Sequence, residues 1–545
     1  QERSLDGLHV DRLVSVTDVT NQVLNRAANS EAVAQARREV EAERQEDAPA
    51  QQRVDVVREG GTFVAYTYER FQTVRLVFAP GGQAAEFGGV EASFSYPRAA
   101  FDVALLRVYE DGEPLSEGPY VSVEEDGPSA SVYAAGFPAR TSRVSTPAEL
   151  AFEREIALPA RRDLQAALVQ GVPDASDAAQ VGGDRRRYER AVKETKGQLD
   201  ALRSDAVQAR IQSRFDSLRA TGGRLATIID SLSMIQEQKR DLRTAYRAFQ
   251  PFSWPSGSVT LRRALWAIQS ETATSPAVDS LRDKIQSVAS RPAEFDAAVL
   301  AHQLHWLRRV EEADTMSVGN RMQQARSIVA ESRFAATRAG DEISLEDDYG
   351  ADLAVEVLRP LMSEYRAFRD DWSRLRQRES RLSVELRQRL VAGRSDSLAL
   401  PSQRSLRVAD GRISGYPYNG TVAPPITTPF WMLAAHHADD QPAWQLPARW
   451  RDAPNAFDRA TPLTFAARVD PAGGMNGSGV FSADGSLVGV LFDRNVQALA
   501  SPYLYLPEEM RAAGVHAQGL LEALEHLYDA PELVEEMTSP PPADR

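Results

Sequence analysis

The period of the apolar residues changes twice along this 545-residue chain, and the two changes bound what it can fold into. Up to about Pro138 apolar residues alternate in short runs. From about Pro147 to Arg394 they recur mostly at spacings of three to four, and after Leu398 short β-like runs return. Side chains of a strand point alternately to opposite faces, whereas a helix face is revisited every three or four residues. The order is therefore β, a long helical insertion, β, and a last helix.

The first β region holds Leu13-Val14-Ser15-Val16, a turn-and-helix signal at Thr17-Asp18-Val19-Thr20 and a charged helical stretch from Asn29 to Gln45. Thr62–Tyr68 and Thr73–Phe78 are rich in β-branched and aromatic residues, and Pro80-Gly81-Gly82 closes a turn. Strands are expected at Asp102–Tyr109 and around Ser131–Pro138. In the helical region Leu199, Leu202, Val207, Ile211, Phe215, Leu218, Leu225, Ile228, Ile229, Leu232 and Ile235 define amphipathic faces. Breaks at Phe252–Ser258 and Thr272–Pro276 divide it into several helices, read as a bundle packed on itself. In the second β region Asp410-Gly411 reads as a turn, followed by Ile413–Tyr416, Asn419–Val422 and Leu463–Val469. A helix is expected from His516 to Tyr528, then a loose Pro-rich tail at Ser539–Arg545.

Gly473-Gly474-Met475-Asn476-Gly477-Ser478-Gly479 leads into an apolar run, then Asp484-Gly485 and a second alternating run. Asp-Gly between such runs is a hairpin signal, and the glycines permit a tight backbone path. The net charge of −14 disfavours a general nucleic-acid or anionic-membrane binder. Absence of cysteine excludes disulfides and thiolate chemistry. No apolar run approaches the ~20 residues of a spanning helix. No phosphate loop, zinc signature or calcium loop is found, so no cofactor or metal is expected. The first residue, Gln1, fits a cleaved export signal and a periplasmic or secreted bacterial protein.

Several motifs, in order, resemble the bacterial serine dipeptidyl peptidases of the dipeptidyl-peptidase 7 and 11 type. They are Phe87-Gly88-Gly89, Tyr96-Pro97-Arg98 ahead of Asp102, Arg107-Val108-Tyr109 and Gly136-Phe137-Pro138 with Arg140-Thr141. Asn419-Gly420-Thr421 and Gly473-Gly474 with Phe492-Asp493-Arg494-Asn495 complete the set. The matches span about Leu8 to Met537, and their order and spacing together are what make them specific. The resemblance implies a β + α multidomain chain: a chymotrypsin-like double β-barrel, the first barrel incomplete, with a large inserted helical domain. The divisions expected are 1–146 for the first barrel portion, 147–397 for the insertion, 398–515 for the second barrel and 516–545 for the terminal helix and tail.

On that resemblance Asp102 matches the triad aspartate that orients a histidine. The family's histidine lies upstream of every match here, so none is assigned. His9 is out of context, and His436-His437 is read as a loop pair. His302 and His305 sit at i, i+3 without an obvious third zinc ligand. Asn476 stands where the family has its nucleophilic serine, and Gly474 and Asn476 occupy the oxyanion-hole positions. Ser478 matches the second serine of the family's Gly-Asn-Ser-Gly-Ser-Pro run, which is not the nucleophile. A carboxamide nitrogen is delocalised into its carbonyl and is not activated by a general base.

Asp493 matches the aspartate that holds a substrate's free ammonium, and Arg494 the arginine that pairs with an acidic residue before the scissile bond. The family's Asn-Trp is Ser93-Phe94 here, which changes one amine ligand and one pocket wall. The helical-domain asparagine has no counterpart near Arg210–Gly223. Three functions follow: a catalytically silent homologue serving as a binding or structural subunit, an active peptidase cutting after Asp or Glu through Ser478, or a helical scaffold without peptide binding. Partners implied are peptides with a free N-terminus and an acidic second residue, protein partners in an assembly, and, by family resemblance, a second copy of the chain.

Overall fold

A computed structural model describes residues 2–26, 33–59, 62–115, 120–123, 131–171, 179–312, 316–339, 343, 345, 349–392, 406–438 and 441–539. The chain divides into two units, Gln1–Val144 with Arg387–Arg545, and Ser145–Leu386. Within the Pro-rich tail, residues 540–545 lie outside the described residues, as do 29–32 at the start of the charged helical stretch.

In the first unit β1 (Val10–Asp18), β2 (Gln52–Glu59) and β3 (Thr62–Phe71) form an antiparallel sheet in the order β1-β3-β2. Helices α1 (Thr20–Arg26) and α2 (Val33–Asp47) share an apolar core with it through Val23, Val40, Val54, Val56 and Phe63. A second sheet pairs Arg3–Ser4 with β4 (Thr73–Phe78), β4 with β5 (Leu105–Glu110), and β5 with Glu113–Pro114.

The third sheet has seven antiparallel strands. In chain order they are β6 (Val132–Gly136), β7 (Arg407–Gly411), β8 (Ile426–Thr427), β9 (Thr464–Ala467), β10 (Gly479–Ser482), β11 (Leu487–Arg494) and β12 (Ala512–His516). Their spatial order is β8-β9-β12-β11-β10-β6-β7. Thus β6, which sequence order groups with the strands before it, is hydrogen-bonded between β10 and β7. Both faces of β9 are buried: Phe465 and Ala467 enter one apolar cluster and Ala466 another. Such a strand reads as an unbroken apolar run rather than an alternating one, as Phe465-Ala466-Ala467 does.

Local signals were not always decisive. Asp410-Gly411 is not a turn but the end of β7, with Asp410 opposite Tyr133 and Gly411 opposite Val132. The glycine serves a close approach, because a Cβ there would lie 2.0 Å from the Arg468 carbonyl oxygen. The strand expected from Asp102 starts at Leu105. His436 and His437 end a helix (Pro429–Ala438) rather than lying in a loop. His516 is the N-cap of the helix Ala517–His526, its Nδ1 accepting from the Gln518 N–H at 3.2 Å.

The second unit is helical. Its helices include α3 (Pro147–Phe152), α4 (Gly223–Asp241), α5 (Val259–Ser270), α6 (Ala293–Val310) and most of α7 (Met362–Ala392). Leu261, Leu265 and Ile268 of α5 pack with Leu300, Leu304 and Leu307 of α6 in its main core. At the break before α5, Ser258 caps the helix through Leu261 N–H, and the buried Asp296 carboxylate accepts from Val259 N–H at 2.7 Å and Thr260 N–H at 3.2 Å. A carboxylate at a helix N-terminus meets orphan N–H groups and the positive end of the dipole. His302 is held near a pKa of about 4 by burial, and no group of three metal-ligating side chains occurs among the described residues. No helix of the described residues is long and apolar enough to cross a membrane.

Helix α3 opens with a capping box: Thr146 Oγ1 accepts from Glu149 N–H, while the Glu149 carboxylate accepts from Thr146 N–H at 2.7 Å. Ser383 of α7 donates to the same carboxylate at 3.2 Å. Burial pushes the Glu149 carboxyl above its ordinary value; the Thr146 hydrogen bonds oppose this, and neighbouring Glu379 adds to it. Glu379 itself accepts from Lys239 and Gln236 of α4. A carboxyl whose folded pKa exceeds its unfolded value binds its proton more tightly when folded. Its contribution is greatest below the unfolded value and is lost as pH rises through the folded one. Glu149→Gln keeps an acceptor for the Thr146 N–H and removes the charge. It is expected to raise the calorimetric Tm at about pH 8 and to change it less at about pH 5; destabilisation at both would contradict this.

Candidate functional site

The Gly-rich loop lies between β9 and β10 and is pinned at several backbone points. Ala139 N–H donates to Gly473 C=O at 2.5 Å, Gly477 N–H to Leu491 C=O at 2.8 Å, and Ser478 N–H to Met475 C=O at 3.0 Å. The last bond closes a turn with Asn476 and Gly477 at its corner, and Gly477 adopts the positive φ of 85° that such turns assign to glycine. Met475 points inward into the sheet core. Gly474 and Asn476 are exposed, and among the described residues their N–H groups make no hydrogen bond within the protein.

Ser478 is turned the other way. It is 7% exposed, its Oγ meets Met475 Sδ at 3.9 Å, and it lies directly over Gly136 of β6. A Cβ on Gly136 would sit 1.9 Å from that oxygen. The Gly-Phe-Pro motif thus supplies the space that buries Ser478.

The second group gathers around β11. A register shift between Leu491 and Asp493 interrupts its pairing with β12. A bulge of this kind re-aims side chains, and Asp493 and Arg494 are both buried. The Asp493 carboxylate accepts from Phe94 N–H at 3.0 Å and is ion-paired with Arg98. Phe94 holds a φ of 57°, unusual for an aromatic residue. The Arg494 guanidinium lies 5.8 Å from the Phe94 ring centroid and donates to Pro471 C=O at 3.2 Å. Ser93 is buried, its hydroxyl 3.4 Å from Gly89 C=O. Ser93, Phe94, Asp493 and Arg494 are therefore brought together. Arg494 also reaches the loop, 3.5 Å from where a Gly473 Cβ would stand.

Asp102 is exposed in the extended segment before β5, just after the buried Phe101, whose N–H donates to Ala84 C=O at 2.9 Å. His436 is partly buried, its Nδ1 3.3 Å from Trp444 C=O. His9 is exposed near Asp11.

In the sequence Arg98 is only the last residue of the Tyr-Pro-Arg motif, with no role of its own. Its partner is 395 positions away in sequence, and only a buried carboxylate in the same family pattern could have pointed to it. Arg143 and Asp470 were missed altogether. They form a two-bond pair at 2.5 and 2.6 Å at the base of the loop. Chemically, the arrangement offers an exposed loop tip carrying the Asn476 carboxamide, with the buried Arg494 guanidinium nearby.

The family model described as Peptidase S46 matches residues 1–539. The chain is 23% identical to the Asp/Glu-specific dipeptidyl-peptidase of Shewanella putrefaciens, over 85% of this chain and 74% of that protein. It is 24% identical to dipeptidyl-peptidase 7 of Porphyromonas gingivalis, over 86% and 73% respectively. The crystal structure of Porphyromonas endodontalis DPP11 in complex with the dipeptide Arg-Asp superposes with a TM-score of 0.82 at 18% identity, covering 99% of this chain and 87% of that one. The two share a mixed α/β fold with a half-barrel sheet and many helices.

Removing one member of a buried ion pair strands the other. Arg98→Met is expected to cost about 3–5 kcal/mol in urea unfolding, and the double change Arg98→Met with Asp493→Leu much less. Equal losses in both would mean the pair has little influence on stability.

Proposed function

Because this chain belongs to the peptidase S46 family, we propose that it is a member that has lost hydrolysis and retains a peptide-binding site. The observation that carries this reading is the exposed carboxamide of Asn476 at the tip of the Gly-rich loop. Covalent catalysis from this loop would need a side chain with a lone pair that a general base can free, and the lone pair of an amide nitrogen is delocalised into its carbonyl. Removing the nucleophile of a comparable triad costs about 10⁶ in turnover. The hydroxyl of Ser478, two residues on, is buried over Gly136, and positioning catalysis does not tolerate such a displacement. This argues against the active-peptidase alternative.

What remains is suited to recognition. Arg494 presents a planar cation of the kind that binds carboxylates with two hydrogen bonds. In the relatives, the names Asp/Glu-specific dipeptidyl-peptidase and the bound dipeptide Arg-Asp tie this fold to acidic second residues. We carry that preference to this chain, with Asp493 toward the peptide's ammonium. Because Asp493 is already paired with Arg98, an ammonium would meet a largely neutralised group, and the scaffold reading draws on this fact. A chymotrypsin-like double barrel with the domain divisions given above, Asp102 at a triad-equivalent position and a periplasmic or secreted location belong to the same proposal.

A fluorophosphonate probe and an acidic dipeptidyl fluorogenic substrate test the loss of hydrolysis, with neither labelling nor release expected. Labelling that vanishes in Ser478→Ala would restore the active-peptidase reading. Calorimetry with short peptides bearing a free amine should show preference for an acidic second residue, falling at least about tenfold in Arg494→Gly. No binding in either protein would leave the scaffold.

A further inference from the structure

The side chain of Arg143 is 5% exposed, and each of its nitrogens is engaged. Nη1 donates to Asp470 Oδ2 at 2.5 Å, Nη2 to Asp470 Oδ1 at 2.6 Å and Nε to Ser501 C=O at 2.8 Å. Ser501 is fully buried and its hydroxyl donates to Pro471 C=O at 3.1 Å. That same carbonyl accepts from Arg494 Nη1 at 3.2 Å. Arg143 is therefore linked to the Arg494 guanidinium by hydrogen bonds to the Ser501 carbonyl and to the Pro471 carbonyl, joined through the covalent frame of Ser501. A parallel covalent path runs from Arg143 through Asp470 into Pro471.

We propose that Arg143 is a positioning residue for peptide selection: with Asp470 and Ser501 it sets the direction of the Arg494 guanidinium and thereby the discrimination in favour of an acidic second residue. The inference rests on the acidic-peptide reading of Arg494 given above. Three physical points support it. A planar guanidinium bound at both ends of a carboxylate fixes that carboxylate in angle as well as distance. Asp470 precedes a proline, whose ring fixes φ and so removes one of the backbone rotations between Asp470 and the Pro471 carbonyl. Arg494 has a rigid origin on β11 but a long flexible stem, so its head group needs an external fixed point. A single carbonyl receiving both Arg494 and Ser501 provides one. A binding group displaced by about 1 Å by loss of its support no longer meets its ligand productively.

A loop anchor with no part in selection would weaken all peptides alike, whereas a positioning residue changes the ratio between them. The test compares two dipeptide amides with a free N-terminus and either Glu or its neutral isostere Gln in second place. Calorimetry is run on wild type, Arg143→Lys and Ser501→Ala. Arg143→Lys keeps the charge and loses the fork; Ser501→Ala removes one hydrogen bond and is the milder change should the first fail to fold. The Glu-over-Gln preference is expected to fall about tenfold in Arg143→Lys and a few-fold in Ser501→Ala, with affinity for the Gln peptide nearly constant. Equal weakening of both peptides, or an unchanged ratio in both variants, overturns the proposal. If wild type binds neither peptide, the acidic-peptide reading fails by itself. The crystal structure of Arg143→Lys then decides the positioning link: a displaced Arg494 guanidinium upholds it, an unmoved one overturns it.

Discussion

A buried carboxylate that holds a backbone N–H and a guanidinium is the point on which the site depends. Asp493 binds Phe94 N–H and pairs with Arg98, joining β11 to the segment that precedes β5. Both charges are removed from water, so each depends on the other to offset the cost of burial. The same contact helps hold Phe94 in a left-handed conformation that an aromatic residue does not choose by itself. The ring is thereby placed beside Arg494, 5.8 Å from its guanidinium carbon. Residues almost 400 positions apart become a single surface through one ion pair.

That pair also limits what the surface does. An ammonium approaching an isolated buried carboxylate gains strongly, but one approaching a carboxylate already matched with an arginine gains mainly hydrogen-bond energy. On the proposed acidic-peptide reading, selectivity would rest mainly with Arg494. The Gly-rich loop follows the same division of labour. Its backbone is held by inter-segment and turn hydrogen bonds at Gly473, Met475, Gly477 and Ser478, none of which uses the Asn476 side chain. The backbone path at that corner therefore does not depend on which side chain stands at position 476.

The sequence displays what depends on neighbours in the chain and conceals what depends on distant ones. The three-to-four spacing of Leu199–Ile235 announced helices, and Val207, Ile211, Phe215, Ile228 and Leu232 are buried as that spacing requires. The Gly-Gly and Asn-Gly steps announced a tight loop, which they form. Asp410-Gly411 misled because a glycine that yields to a carbonyl looks the same in sequence as a glycine that turns. The inclusion of β6 among later strands, and the pairs Arg98–Asp493 and Arg143–Asp470, follow from pairings across hundreds of residues. For these a single sequence offers no periodicity to read. Exposure of Asp102 and burial of Ser478 belong to the same class, since both are set by what packs against them.

The strand order shows how a large insertion coexists with so tightly specified a site. β6 and β7 are hydrogen-bonded neighbours, so the intervening chain leaves and returns at adjacent points of one sheet. Closing a longer connection between fixed ends costs only about 0.6 kcal/mol for each doubling of length, and the β6–β7 ladder can offset that. The larger consequence is kinetic. Gly136, against which Ser478 rests, precedes the insertion, while the Gly-rich loop follows it, and Arg98 and Asp493 are divided in the same way. Formation of the site therefore waits on long-range pairings, which form slowly. The loop can adopt its local turns early, but it acquires its buried side only after β6 has paired with β10.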